Sequence, residues 1–199
     1  MASQRLSRND WINAAMKVLS TGGIDMVRVD NLAKELKITR GSFYYHFESR
    51  QDLLKGILDK WRLKATEAVI AGLKKKSLSS KEQLVELMML PLKGDKSFEA
   101  ASIEISLRAW ARRDDMARAA VDEVDRYRIA FIEQLFVDLA HPAEQANDLA
   151  YLVYSYMIAT SLLHPNDSVE NQSARAKRLS DFLSDNCPLL DCRFRPHAH

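Results

Sequence analysis

The feature that most constrains this chain is the stretch from Val29 to Phe47. Val29, Leu32, Ala33 and Leu36 recur at i, i+3, i+4 and i+7, one apolar stripe on a helix of about 3.6 residues per turn. Lys37-Ile38-Thr39 breaks the stripe. In the shorter segment that follows, Phe43 and Phe47 fall on one side, four apart, and Arg40, Ser42, Tyr45 and His46 on the other. Two short helices joined by a tight turn outline a helix-turn-helix, whose second helix enters the major groove of DNA. An ordinary helical hairpin exposes Lys and Glu. Here the outward residues are hydrogen-bonding or aromatic, and no acid occurs between Thr39 and Phe47. That composition suits a surface meeting phosphates and base edges.

The charge distribution agrees. Residues 1–64 hold twelve Lys/Arg against seven Asp/Glu, a net +5, which leaves 17 against 20, or −3, for the rest. A basic head on a mildly acidic body is the footprint of a nucleic-acid-binding unit joined to something else. The 199 residues are enough for one large or two small domains, and 47% apolar with 28% charged is ordinary for a globular protein. Met1 to Asp10 is polar and carries no leader pattern. The longest apolar run, Tyr151 to Leu163, is interrupted by Ser155, Thr160 and Ser161 and is shorter than the ~20 residues a bilayer needs. The expectation is a cytoplasmic protein with no membrane span. Cys187 and Cys192 read as reduced thiols, and their Cys-x4-Cys spacing with His197 and His199 is poor for zinc. Neither a metal nor a cofactor is expected.

Taken in order, the chain reads as all-α, about nine helices, with no period-two stretch long enough for a strand. Ser7 with Asp10 forms a capping box for a first helix that turns Ile12, Ala15, Met16 and Leu19 inward, and Gly22-Gly23 stops it. Ser49 caps a fourth helix bearing Asp52 in its first turn and Leu54, Ile57, Leu58 and Trp61 as its stripe. Lys74 to Ser80 reads as a loop. A helix marked by Leu84, Leu87 and Met88 ends near Pro91, and another from Phe98 to about Arg113 carries Ile105 and Trp110. Ala120, Val124, Tyr127, Phe131 and Leu135 trace the stripe of a long helix that starts at Asp114-Asp115. Pro142 opens a helix to His164, and Val169 to about Asn186 makes the last, before a tail from Cys187. The helix over 142–164 is apolar nearly all round, so it needs cover on more than one face.

Gly22-Gly23-Ile24-Asp25, the helix Val29–Leu36, the run Thr39 to Phe47 and Ser49-Arg50-Gln51-Asp52-Leu53-Leu54 resemble, in that order, the N-terminal domain of the TetR family of transcriptional regulators. The likeness covers about residues 8–62, and a looser one runs through Glu104 to Arg113. It implies a helix-turn-helix domain over 7–62, with a recognition helix about 39–47, followed by a helical effector-binding and dimerisation domain over 63–199. It implies further a homodimer through the helices about 142–164 and 169–186, and a palindromic operator of double-stranded DNA released when a small molecule binds. Symmetry supplies a reason: one short helix reads too few bases, and two-fold pairing doubles the site.

Side-chain chemistry makes Arg40, Ser42 and Tyr45 the groove candidates, Arg40 being best equipped to grip guanine, and Gly41 lets the backbone come close. The resemblance assigns phosphate contacts to Tyr44, His46 and Arg50, and to Arg28 and Asn31 at the start of the preceding helix. Relatives place Thr or Ser where Arg28 stands, so the expected helix cap is missing, worth ~1 kcal/mol unless Asp30 or a water substitutes. Tyr44 is alternatively a core tyrosine. For the effector, Trp61, Met88, Phe98, Trp110, Tyr127, Phe131 and Tyr154 are candidate lining residues, and the mix points to an apolar or aromatic ligand. Each is also what a bundle core contains. The chain has no GxSxG, Walker, HExxH or dinucleotide fingerprint, so no catalytic residue is assigned and no enzyme is expected. Two other readings stay open: a helical dimer that binds DNA constitutively, and a helical carrier or enzyme that does not bind DNA.

Overall fold

The computed structural model describes residues 6–163 and 167–185. Among these the secondary structure is helical: α1 (Arg8–Gly22), α2 (Val29–Glu35), α3 (Arg40–Tyr44), α4 (Arg50–Arg62), α5 (Ala68–Lys75), α6 (Ser80–Met89), α7 (Asp95–Ala111), α8 (Asp115–Asp138), α9 (Ala143–Leu162) and α10 (Val169–Ser184). A π-helical turn, Leu63–Glu67, joins α4 to α5 without a break, and counting that rod once gives the expected nine. Short 3-10 turns stand at Ile24–Met26 and Leu90–Leu92.

The chain forms two compact units, residues up to 69 with 98–125, and 70–97 with 126 onward. In the first, the local signals act as read. Ser7 and Asp10 complete the capping box of α1, and Gly23 ends that helix at φ 72°. The Asp10 carboxylate accepts from both the amide and the hydroxyl of Ser7, at 2.7 Å each, which lowers its pKa. The Ser49 hydroxyl accepts from the Asp52 amide at 3.2 Å. Trp11, Ile12, Ala15, Leu19, Phe43, Phe47, Leu54, Ile57 and Trp61 build the core of α1 to α4. α1 and α4 meet closely: a Cβ on Gly56 would stand 2.9 Å from Ile12 Cδ1.

The same core takes in Ile103, Leu107, Trp110 and Ala111 of α7 with Ala117, Ala120, Val121 and Val124 of α8. Ile105, one of the two residues that mark this helix in the sequence, is exposed: the inward face of α7 runs through 103, 107 and 110, and 105 falls opposite. Arg108 ties α7 to α8. Its two terminal amino groups grip Asp125 at 2.9 and 2.7 Å, and it also donates to Glu104 at 2.8 Å.

In the second unit α10 packs along α6 through Ala176, Ser180 and Ser184, small residues that let two helices approach. Ser79 and Glu82 supply a capping box for α6, and the loop expected over 74–80 shrinks because α5 runs on to Lys75. On α8 the stripe departs from expectation after Val124. Leu135 turns inward as expected, but Ile132 and Phe136 join it there, while Tyr127 is half exposed and Phe131 partly buried. His141 is buried, edge-on to Phe136, and one ring nitrogen lies 3.2 Å from the Ser184 carbonyl. Pro142 occupies the N-cap of α9 rather than its first turn. His164 and Pro165, and the tail with Cys187, Cys192, His197 and His199, lie outside the described residues.

α9 buries Leu149, Ala150, Val153 and Tyr154, yet leaves Tyr151, Leu152 and Leu162 exposed. Leu163 beyond it, and Val169 and Phe182 of α10, are exposed as well. Among the described residues of one copy, nothing covers that side of α9.

Candidate nucleic-acid interface

The segment expected over 39–47 is helical only from Arg40 to Tyr44, with Thr39 at the N-cap and Tyr45 at the C-cap. One aromatic anchor fixes it. Phe43 stands edge-on to Trp11 of α1 at 5.3 Å and stacks on Phe47 at 5.1 Å, and both phenylalanines are buried. Arg8 covers the Phe47 ring at 4.7 Å and pairs with Asp52 at 2.9 Å. With that side pinned, the helical period sends Arg40, Gly41, Tyr44 and Tyr45 outward, while Ser42 and His46 are half buried. Tyr44 and Tyr45 are 56% and 67% exposed, which settles the choice for Tyr44: it is a surface residue. Tyr44 stands edge-on to Phe43 at 5.2 Å and Tyr45 edge-on to His46 at 5.0 Å, so each amphipathic ring keeps one aromatic contact while much of it meets water.

Gly41 is informative because the chain itself does not require it. A Cβ there would meet nothing nearer than Thr39 Oγ1 at 3.8 Å.

Arg28, Asn31 and Arg50 converge on one feature, the turn at residues 24–27. Arg50 donates to the Val27 carbonyl at 2.6 Å and to the Ile24 carbonyl at 2.9 Å. Arg28 donates to the Asp25 carbonyl and Asn31 to that of Met26, both at 2.9 Å. These side chains give the Asp25 and Val27 carbonyls a donor, and add a second to the Ile24 and Met26 carbonyls, which already accept from the Val27 and Arg28 amides. Arg50 therefore has a structural duty that spacing did not reveal, since its partners lie 23 and 26 residues away. α2 has no side-chain cap at Arg28, and Asp30 does not stand in for one. Its carboxylate instead faces Arg40, 3.0 Å from Nε.

A cleft of about 620 Å³ lies between α2 and α3, lined by Asp30, Ala33, Lys34, Lys37, Ile38, Thr39 and Arg40. Lys34, Lys37 and Thr39 were not singled out from sequence. The signal available was that Lys37 must turn the chain, and it does so at φ 54°, a left-handed conformation that side chains seldom adopt.

The effector candidates divide. Trp61 and Trp110 are buried in the core of the first unit, whose Phe98 is 62% exposed. Met88, Tyr127, Phe131 and Tyr154 belong to the second, where Met88 is fully buried. Arg128 donates to the Tyr154 hydroxyl at 3.1 Å, and Lys74 lies over the Phe131 ring at 5.7 Å. The seven thus do not form one lining within either unit. Among the described residues no group of His, Cys, Asp and Glu is arranged to hold a metal, and no helix is long and apolar enough to cross a membrane.

Residues 12–57 match the family described as bacterial regulatory proteins, tetR family. No curated protein sequence matches the chain. Solved structures share the fold. A transcriptional regulator from Saccharomonospora viridis, in complex with choline, superposes with a TM-score of 0.71 at 20% identity over 90% of this chain and 96% of that one. A TetR-family regulator from Rhodococcus sp. gives 0.67 at 18%, covering 89% and 98%. The regulator FadR from Bacillus subtilis, in complex with stearoyl-CoA, gives 0.66 at 15%, covering 89% and 98%.

Proposed function

On the premise that this is a TetR-family chain, its residues 12–57 being that family's N-terminal domain within the regulator fold, we propose that it is a cytoplasmic transcriptional regulator that binds a palindromic operator as a homodimer. The observation that carries the reading is α3 itself. Phe43 and Phe47 lock one side into the core, and Arg40, Gly41, Tyr44 and Tyr45 are presented on the other, on a head of net +5. In the proposed complex Arg40, Ser42 and Tyr45 read base edges while Tyr44 and His46 contact phosphates. Arg28, Asn31 and Arg50 brace the 24–27 turn and meet the backbone with whatever donors remain.

The uncovered side of α9, with Val169 and Phe182 of α10, supports a two-fold pairing of these helices between subunits. Leu152→Glu places a charge in that face and is expected to give monomers by sedimentation at micromolar concentration. A monomeric wild type at that concentration would remove the dimer from the proposal.

For regulation, we propose that a small apolar or aromatic effector in the second unit, near Met88, Tyr127, Phe131 and Tyr154, shifts the dimer away from the spacing that matches successive major grooves, about 34 Å apart. Proteins of this fold hold ligands as unlike as choline and stearoyl-CoA, which supports a site without naming its occupant. Release acts as repression relieved. The test is fluorescence anisotropy against the DNA upstream of the gene and its neighbours. Sequence-selective binding is expected, and Arg40→Ala is expected to relax preference at one base pair per half-site by ~1–3 kcal/mol. Only weak association, lost as salt rises and equal for all sequences, would refute the regulator reading. Selective binding that no small molecule loosens would leave a constitutive DNA-binding dimer.

A further inference from the structure

The Asp30–Arg40 pair is not accounted for by the fold. It spans the turn between α2 and α3, with Oδ1 3.0 Å from Nε, and both side chains are more than half exposed, 58% and 62%. A pair so open to water adds little to stability. Asp30 does not cap α2 either. It places a negative charge in the cleft beside Lys34 and Lys37, on the side of the head that the proposed function turns toward phosphates. For affinity alone, an acid in that place is a liability.

We propose that Asp30 is a specificity-determining positioning residue that holds Arg40 for base reading and opposes its capture by the phosphate backbone. The inference rests on the reading of α3 as the base-contacting helix. The closest approach is at Nε, and among the described residues neither Nη1 nor Nη2, the fork that matches guanine O6 and N7, makes a hydrogen bond. An ion pair at 3.0 Å biases the long arginine chain toward the α2 side, and part of the cost of ordering it is met before DNA arrives. The charges add a second effect. A phosphate seeking Arg40 finds a guanidinium already neutralised and a carboxylate alongside, whereas the base-edge acceptors carry no net charge and meet no such repulsion. Exclusion of water at the interface strengthens both effects. Asp30 therefore lowers binding to arbitrary DNA and sharpens the choice among sequences.

The test compares wild type, Asp30→Asn, Asp30→Glu, Arg40→Ala and the Asp30→Asn/Arg40→Ala double variant. Each selects from a pool of duplexes with a random centre, and each is then titrated against the wild-type-selected duplex and a scrambled one at two salt concentrations. Asp30→Asn is expected to bind the scrambled duplex about threefold tighter, in line with one fewer repulsive charge per subunit. Its preference at the base pair read by Arg40 is expected to fall roughly fivefold, the low end of one bidentate contact. Asp30→Glu restores both in part. On the Arg40→Ala background, Asp30→Asn no longer changes base preference. A charge acting only on the helix dipole of α2 would alter the melting temperature but leave the selected sequence as it was. Unchanged scrambled-duplex affinity and base preference in Asp30→Asn, or relaxation that persists without Arg40, overturns the inference. A wild type that selects no sequence at all brings down the DNA-binding reading and this inference with it, a result distinct from selection that Asp30→Asn leaves untouched.

Discussion

Replacing Gly41 with alanine separates what the fold needs from what a partner needs. Gly41 is exposed, second in α3, and an added Cβ meets only Thr39 Oγ1, at an ordinary 3.8 Å. Inside the chain the methyl is harmless. Alanine is favoured over glycine in helices by roughly 0.5–1 kcal/mol, less at a helix end, so the variant is expected to be about 0.5 kcal/mol more stable. That raises the melting temperature by ~1–2 °C for a chain of this length. Binding should move the other way. If the α3 backbone approaches DNA at this point, a methyl pushes it off, and the contacts of Arg40 and Ser42 lengthen together. Losing one or two such contacts costs ~1–3 kcal/mol, roughly a 5- to 150-fold weaker complex. Gly56→Ala provides the contrast. Its Cβ stands 2.9 Å from Ile12 Cδ1 and 3.4 Å from Arg8 Nη1, so overpacking should cost about 1–3 kcal/mol. Scanning fluorimetry reads stability, and anisotropy at one fixed salt concentration reads binding. A Gly41→Ala protein that is more stable yet binds operator like wild type refutes the placement of α3 against DNA.

Other expectations follow from the same structure. Lys37→Gly relieves the left-handed strain at φ 54° and is expected to stabilise the head by about 0.5–1 kcal/mol in urea unfolding, while lowering the salt slope of DNA binding by about one if Lys37 meets a phosphate. Arg108→Met leaves Glu104 and Asp125 facing each other half buried, and is expected to destabilise by ~2–3 kcal/mol; Arg108→Lys, which cannot hold Asp125 with two bonds, falls between. Hydrogen bonds from Ser7 hold Asp10 below its ordinary pKa, as those from Ser79 hold Glu82, so each carboxylate contributes stability above its unfolded-state pKa that is lost as pH falls through its folded one. Ser7→Ala and Ser79→Ala should each flatten the decline in denaturation midpoint below about pH 4 and leave the neutral-pH slope alone.

Chain chemistry acting within four residues was legible without coordinates. The capping pairs Ser7–Asp10 and Ser49–Asp52, the stop at Gly22-Gly23 and the inward pairing of Phe43 with Phe47 all follow from helical period and terminal hydrogen bonds. So does the outward presentation of Arg40 and Tyr45. Folding alone decided what depends on segments far apart in the chain. Arg50 is drawn to the Ile24 and Val27 carbonyls, Asp30 turns to Arg40 across a turn, and α7 and α8 complete the core of the first unit. On α8, Tyr127 and Phe131 were as apolar as their neighbours, and period alone cannot choose between two adjacent apolar stripes. The helices packed against α8 make that choice, by burying Ile132 and Phe136 beside the Leu135 that the sequence had placed inward.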